Sequence, residues 1–90
     1  MIPRIQSVSP QDGYRLLVTF DGGGRVVYDV AEDIRDIPAF ADLVRIPGLF
    51  RNVRLDSSRT VVVWNDMIDL PGDTILEHGR PVAGELDAGR

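Results

Sequence analysis

Residues 14–30 have the sequence YRLLVTF-DGGG-RVVYDV. Apolar side chains alternate with other residues on both sides of the glycine-rich segment, which is the pattern of half-buried strands. The glycines supply the positive φ angles that a tight turn between two strands needs. The stretch therefore predicts a β-hairpin, and we expect the domain to be built on an antiparallel sheet.

The register of this hairpin follows from which face its apolar residues share. A three-residue loop, Gly22–Gly24, with Gly24 in the left-handed region, brings every apolar pair onto one face. This register pairs Phe20 with Val26, Val18 with Tyr28 and Leu16 with Val30. A two-residue loop would place Phe20 opposite Arg25, so the pattern favours the longer loop.

A second hairpin is predicted from Phe50–Leu55 and Thr60–Trp64, joined by the loop Ser57–Arg59. The predicted register places Leu55 opposite Val61 and Val53 opposite Val63, on one apolar face. Val62, Trp64 and Arg54 then project from the opposite face. We expect that second face to be covered by a helix, by the C-terminal segment or by another subunit.

We predict one α+β domain with a small twisted antiparallel sheet of four to five strands, including two β-hairpins, and one or two short helices. The first strand is predicted at Ile5–Val8, and helices at Pro38–Val44 and Pro71–His78. The domain is expected to span residues 1–78, with residues 79–90 as a loosely ordered tail. The predicted core consists of Leu16, Val18, Phe20, Val26, Tyr28, Val30, Val53, Leu55, Val61 and Val63.

The composition excludes several classes of protein. The 90 residues suit one small domain, and 43% hydrophobic content is typical of a folded chain. Without cysteine there is no disulfide or thiolate site, and without lysine there is no Schiff base. A net charge of −4 argues against a general nucleic-acid binder. We see neither a secretory signal nor an apolar run of membrane-spanning length, and expect a cytoplasmic protein.

No motif in the sequence indicates catalysis. His78 is the only histidine, and its place in the last turn of a predicted helix suits the helix dipole. Asp66, Asp69 and Asp73 match no calcium loop and are typical of turns and helix starts. The glycines of residues 22–24 precede a strand, whereas a phosphate loop precedes a helix. We therefore predict no catalytic residue, no cofactor and no metal.

Charge is distributed unevenly along the chain. Residues 45–59 contain four arginines and one aspartate, whereas residues 29–42 contain five carboxylates and one arginine. Two solvated faces would explain this pattern. A sharper hypothesis is that the basic stretch meets an acidic partner or RNA phosphate. Because tryptophan and arginine are enriched at interface hot spots, the predicted partner-binding residues are Trp64, Arg54, Asp69 and Arg51.

Four spaced motifs together resemble a known family. They are Tyr28-Asp29-Val30, Pro38-x-Phe40-x-x-Leu43, Leu49-Phe50-x-x-Val53-x-Leu55-Asp56 and Val63-Trp64-x-x-x-x-Asp69-Leu70. In order and spacing, from about Ile5 to Leu76, the chain resembles the domain of unknown function 2442 family of small bacterial proteins. The resemblance implies a small α+β fold and no activity. Some members look like antitoxin partners of a neighbouring small protein, and others carry a C-terminal helix-turn-helix domain, which we expect this chain to lack.

These observations suggest two alternative functions. The first is a non-enzymatic protein-interaction module, which the resemblance suggests is an antitoxin-like partner of a small protein encoded nearby. The alternative is a nucleic-acid-linked transcriptional or RNA regulator without a helix-turn-helix extension. The expected partner is a small protein or a second copy of the chain, with no direct contact to nucleic acid and none to a membrane.

Overall fold

The computed structural model describes residues 3–82. Its strands are β1 (Ile5–Gln11), β2 (Arg15–Phe20), β3 (Arg25–Asp29), β4 (Arg54–Leu55), β5 (Val61–Asn65), β6 (Ile68–Pro71) and β7 (Arg80–Pro81). Its helices are α1 (Ala31–Asp36), α2 (Asp42–Arg45) and α3 (Gly72–His78), with 3₁₀ helices at Pro38–Ala41 and Phe50–Asn52. The predicted α+β class with antiparallel pairing is confirmed. None of the helices in residues 3–82 has the length and apolar character that crossing a membrane requires.

The strands form two antiparallel sheets around one hydrophobic core. The first sheet has the order β1-β2-β3-β7, and the second has the order β4-β5-β6. The helices contribute Phe40, Leu43, Phe50 and Ile75 to the same core. The buried strand residues are Ile5, Leu16, Val18, Phe20, Val26, Tyr28, Val62, Trp64, Ile68 and Leu70. Since residues from both sheets belong to one core cluster, the two sheets stabilise each other.

In the first hairpin the predicted buried face is confirmed, but the predicted register is wrong by two residues. Val18 pairs with Val26 and Leu16 with Tyr28, around a loop at residues 21–23. Positive φ angles occur at Gly22 and Gly23, and Gly24 is not among the residues with positive φ. A shift of two residues keeps every side chain on its face, so the apolar pattern fits both registers equally well.

In the second hairpin the predicted register is wrong by one residue. As a result, the face of β5 that was predicted to be buried is the outer face, and the other face lies in the core. Leu55 pairs with Val62, and Arg54 pairs with Val63. Val53 and Leu55 are only partly buried against the core, and Val61 and Val63 are half-buried on the opposite face. Val62 and Trp64, predicted to face away from the core, are buried in it. Arg54 therefore does not share their face.

The loop of the second hairpin is compatible with this register. The Asp56 carboxylate accepts hydrogen bonds from the amides of Thr60 and Val61 at 3.0 and 3.1 Å and from the Ser58 hydroxyl at 2.6 Å. The Ser58 hydrogen bond, with help from the backbone amides, lowers the pKa of Asp56. Arg59 adopts a φ of +60°. The side chain of Asp56 thus closes a loop longer than the predicted three residues, since the amide of Asp56 itself bonds to the carbonyl of Val61.

An ion pair joins the turns of the two hairpins. Arg59 donates two hydrogen bonds to the Asp21 carboxylate, at 2.8 and 3.0 Å, and a third to the carbonyl of Ile5 at 3.1 Å. The hydrogen bond from Arg59 is the main cause that lowers the pKa of Asp21. We call Arg59 and Asp21 the hairpin clamp, because they fix the second sheet against the first.

The remaining elements agree with the sequence in part. Helix α3 confirms the predicted helix at Pro71–His78 except at Pro71, and its C-cap is Gly79. Pro71 instead ends β6, a strand that the sequence did not predict. The first strand extends beyond Val8 to Gln11. The predicted tail begins with β7, which pairs with β3, so the part of it that the structure describes extends the sheet. Residues 83–90 lie outside the described residues.

Candidate protein-interaction surface

A groove of about 390 Å³ lies between two loops on the surface of the described chain. One wall is the β1–β2 turn, residues 11–14. The other wall is formed by residues of α2 and of the segment that follows it, namely Leu43, Val44, Ile46, Pro47, Gly48, Phe50 and Arg51. We call this surface the Arg51 groove. It combines apolar side chains with a few polar groups, which is the usual composition of a binding surface.

The β1–β2 turn is held in an uncommon backbone conformation. Gly13 and Tyr14 have φ angles of +77° and +60°. Positive φ is unfavourable for a residue as bulky as tyrosine. The carbonyl of Tyr14 accepts a hydrogen bond of 2.9 Å from the amide of Val30, and its ring packs edge-on against Phe50 at 5.2 Å. These two contacts fix the turn and therefore the shape of this wall.

The floor of the groove rests on the aromatic core. Phe50 stacks on Trp64, with ring centroids 6.0 Å apart and an interplanar angle of 25°. The Trp64 indole Nε1 donates a hydrogen bond of 3.0 Å to the carbonyl of Phe50. Phe40 meets the other side of Trp64 edge-on at 6.2 Å. The tryptophan thus supports the groove from beneath.

The rim carries exposed aliphatic side chains. Val44 is 51% exposed and Ile46 is 46% exposed, whereas their neighbour Leu43 is buried. On the single turn of helix α2, Leu43 faces the core and Val44 does not. Exposed apolar residues next to a concave surface are typical of sites that contact another protein.

An ion pair crosses the groove. The Arg51 guanidinium donates a hydrogen bond of 2.9 Å to the Asp12 carboxylate, and the two side chains are 61% and 101% exposed. Water competes strongly for such groups, and exposed pairs of this kind stabilise a fold by only about 0–1 kcal/mol. The pair is therefore easily exchanged for another partner of Arg51.

The four residues predicted to bind a partner do not form one surface. Trp64 is 2% exposed and lies in the core, so the prediction that its indole points away from the core is wrong. Arg54 and Asp69 both pair with Val63, on the outer face of the second sheet. Arg54 also donates a hydrogen bond of 3.2 Å to the carbonyl of Trp64. Of the four, Arg51 alone lines the groove.

A second depression lies beside α1 and α3 and is lined by acidic residues. It includes Asp29, Glu32, Asp33 and His78. The Tyr28 hydroxyl donates a hydrogen bond of 2.7 Å to Asp33, and burial followed by this bond raises the pKa of Tyr28. Among the described residues, the carboxylate that approaches the His78 imidazole within 4.0 Å is that of Glu77, at 3.9 Å with both side chains exposed.

In this acidic depression the distance of 3.9 Å between the His78 imidazole and the Glu77 carboxylate is longer than a hydrogen bond. Across residues 3–82, no three histidine or acidic side chains converge as ligands of a metal ion.

The sequence analysis missed the residues that build the groove apart from Arg51. The helical spacing of Val44 with Phe40 and Leu43 predicts a helix and gives no indication that Val44 is exposed. Ile46 lies beyond the predicted helix at Pro38–Val44. A usable signal was the proline after Ile46, which leaves too few residues for a helix with a complete apolar face. Tyr14 gave no signal, since its positive φ depends on tertiary contacts.

One comparison with known proteins gave a match. The model of a family described as a protein of unknown function, DUF2442, matches residues 5–81. No curated protein and no solved structure matches the chain.

Proposed function

The chain belongs to the DUF2442 family, and on that premise we propose that it is a non-enzymatic protein-interaction module that binds its partner through the Arg51 groove. The family description assigns no activity, so the proposal depends on the surface itself. The observation that carries it is the exposure of Val44 and Ile46 at the rim of a concave surface that also presents an arginine.

Binding through this surface would be driven by apolar burial. Each of the two side chains is about half exposed, so covering both would contribute roughly 1 kcal/mol apiece. Arginine adds orientation, because its guanidinium bonds acceptors in a fixed planar geometry. The rigid β1–β2 turn reduces the entropy that is lost on binding. Trp64 supports the floor without touching the partner.

The partner we propose is a small protein encoded beside this chain, with the chain acting as its antitoxin-like counterpart. The resemblance to family members of that kind supports this choice. A second copy of the chain and a nucleic acid are the other possible occupants, and the test below separates them. The net charge of −4 disfavours nucleic acid, since binding to phosphates needs a surplus of positive charge.

The test compares two substitutions of exposed aliphatic residues. Val44→Glu places a charge at the groove rim, and Leu76→Glu, the matched control, places one on α3, where Leu76 is 49% exposed. The purified chain is run by size-exclusion chromatography with and without the product of the adjacent gene. We expect a complex with the wild type and with Leu76→Glu, and at least a tenfold weaker one with Val44→Glu.

Three outcomes would contradict this proposal. If Val44→Glu binds as well as Leu76→Glu, the groove is not the interface. If the wild type alone elutes as a dimer that Val44→Glu dissociates, the groove joins two copies. If the wild type binds RNA or DNA at physiological salt, and not only at low salt, the nucleic-acid alternative replaces it. Thermal melting of both variants establishes that they are folded.

A further inference from the structure

We propose that the Arg51 groove accepts an extended acidic segment of the partner, in which an aliphatic side chain lies next to a carboxylate. The aliphatic group would cover Val44 and Ile46, and the carboxylate would replace Asp12 on Arg51. This inference rests on the proposed function and specifies the chemistry of the partner. It also gives Asp12 a role, as an internal competitor that limits binding.

The arginines of residues 45–59 differ in how firmly they are held. Arg59 makes two hydrogen bonds to Asp21 and one to the backbone, so it is committed to the hairpin clamp. Arg54 bonds to the carbonyl of Trp64 on the second sheet, and it does not line the groove. Neither side chain lines the groove, and each is engaged in a contact of the fold.

Arg51 is held by fewer hydrogen bonds than Arg59. Within residues 3–82 it has one hydrogen bond, to a side chain that is entirely exposed. Arg45 is near in sequence and forms a pair of 3.7 Å with Asp42, again between exposed groups. Exchanging such a pair costs about 0–1 kcal/mol. Arg51 is therefore the cation that the groove offers to an incoming anion, at little cost to the stability of the fold.

The surroundings of Arg51 favour a carboxylate of a peptide over a nucleic-acid phosphate. The groove surface beside it is aliphatic, with Val44, Ile46 and Pro47, and suits an aliphatic side chain. Recognition of single-stranded RNA needs exposed aromatic faces for stacking. The ring of Phe50 is buried, and Tyr14 is packed edge-on against it. Of the two aromatic rings that line the groove, that of Phe50 is therefore closed to stacking, and that of Tyr14 is partly buried.

The test uses blocked tetrapeptides and the full chain labelled with ¹⁵N. Amide shifts are followed during titration with Ala-Leu-Asp-Ala, with Ala-Leu-Asn-Ala, which removes the charge, and with Ala-Ala-Asp-Ala, which removes the aliphatic group. We expect saturable shifts at residues 11–14 and 43–51 for the first peptide, and binding about fivefold weaker for each of the other two. Arg51→Gln should abolish the difference between the Asp and Asn peptides.

Asp12→Asn gives the sharpest readout, because removing the competitor should tighten binding of Ala-Leu-Asp-Ala about threefold to tenfold. The matched controls are Arg35→Gln and Asp36→Asn, which remove an exposed pair that lies outside the groove, and these should change nothing. A merely structural role of Asp12 predicts the opposite result, since its loss would then loosen the groove and weaken binding.

The inference is overturned if the Asp and Asn peptides bind equally, if Asp12→Asn weakens binding, or if no peptide gives saturable shifts at millimolar concentration. It is also overturned if an oligouridylate gives the shifts that the peptides do not. Its failure is distinguishable from that of the proposed function. If Val44→Glu breaks the complex with the natural partner while Arg51→Gln and Asp12→Asn leave it unchanged, the interface stands and only the partner's chemistry is wrong.

Discussion

The two hairpins of this molecule are both rich in apolar residues, but the apolar residues are distributed differently over their faces. In the β2–β3 hairpin the buried positions alternate with exposed or half-exposed ones, and one face is clearly apolar. In β5, the residues Val61–Trp64 are apolar at every position, and burial alternates along them all the same. The apolar pattern of β5 therefore does not determine which of its faces is buried. That choice depends on the groups that pack against Trp64, here the rings of Phe40 and Phe50.

The turns of the two hairpins also differ, in how each one maintains residues at positive φ. The first turn uses two glycines at positive φ, which accept that conformation without strain. The second turn has no glycine, and holds Arg59 at positive φ through the Asp56 hydrogen bonds and the hairpin clamp. The first turn is therefore a local structure, while the second depends on the presence of the first.

The largest expected effect comes from placing the same charge in both hairpins. Val18→Asp should abolish folding, because Val18 is fully buried and an unpaired carboxylate there has no partner. Val63→Asp, on the half-buried outer face, meets Arg54 on one side and the like charge of Asp69 on the other, and should cost only about 1–2 kcal/mol. Urea unfolding followed by circular dichroism measures both. If Val63→Asp unfolds the protein and Val18→Asp does not, the assignment of faces is wrong.

The second effect concerns the aromatic core beneath the groove. Trp64→Ala should destabilise the fold by about 3–5 kcal/mol, because it removes a buried ring and its hydrogen bond to Phe50. Binding of the partner should be lost only to the extent that the variant unfolds, and the folded fraction should still bind. A stable Trp64→Ala variant that fails to bind would place the indole at the interface instead. Trp64 fluorescence in the wild type, which reports on its contact with Phe50, provides a parallel measurement.

The smallest effect concerns the hairpin clamp and is dependent on pH. The pKa of Asp21 is lowered in the folded state, so the unfolded state binds more protons in acid. The stability that the pair contributes is complete above the ordinary aspartate pKa and is lost as pH falls through the folded pKa. Asp21→Asn should lower the melting temperature by a few degrees at pH 7, and should flatten the loss of stability between about pH 5 and 2.

A double-mutant cycle is the control for this last prediction. Arg59→Gln should reproduce the acid curve of Asp21→Asn, and the double variant should add little to either. Additive losses would show that the two side chains act independently and that the hairpins are joined by other contacts.

Local patterns in the sequence determined the antiparallel hairpins, the buried face of the first one, the end of α3 at Gly79 and the absence of thiol or lysine chemistry. Period-2 alternation, glycine turns and helix stops act over a few residues, so one sequence suffices to find them. The groove was only partly predictable, since Arg51 stood out by its charge and Val44 did not stand out by its exposure.

The buried face of β5 and the shape of the groove depend on tertiary contacts. A run of apolar residues such as Val61–Trp64 fits either face of a sheet, and long-range packing of Phe40 and Phe50 on Trp64 made the choice. The positive φ of Tyr14 and the pairing of Arg51 with Asp12 likewise depend on segments far apart in the chain. Contacts between distant residues leave no local periodicity in the sequence. For this reason Trp64, which was predicted to bind a partner, proved to be a core residue.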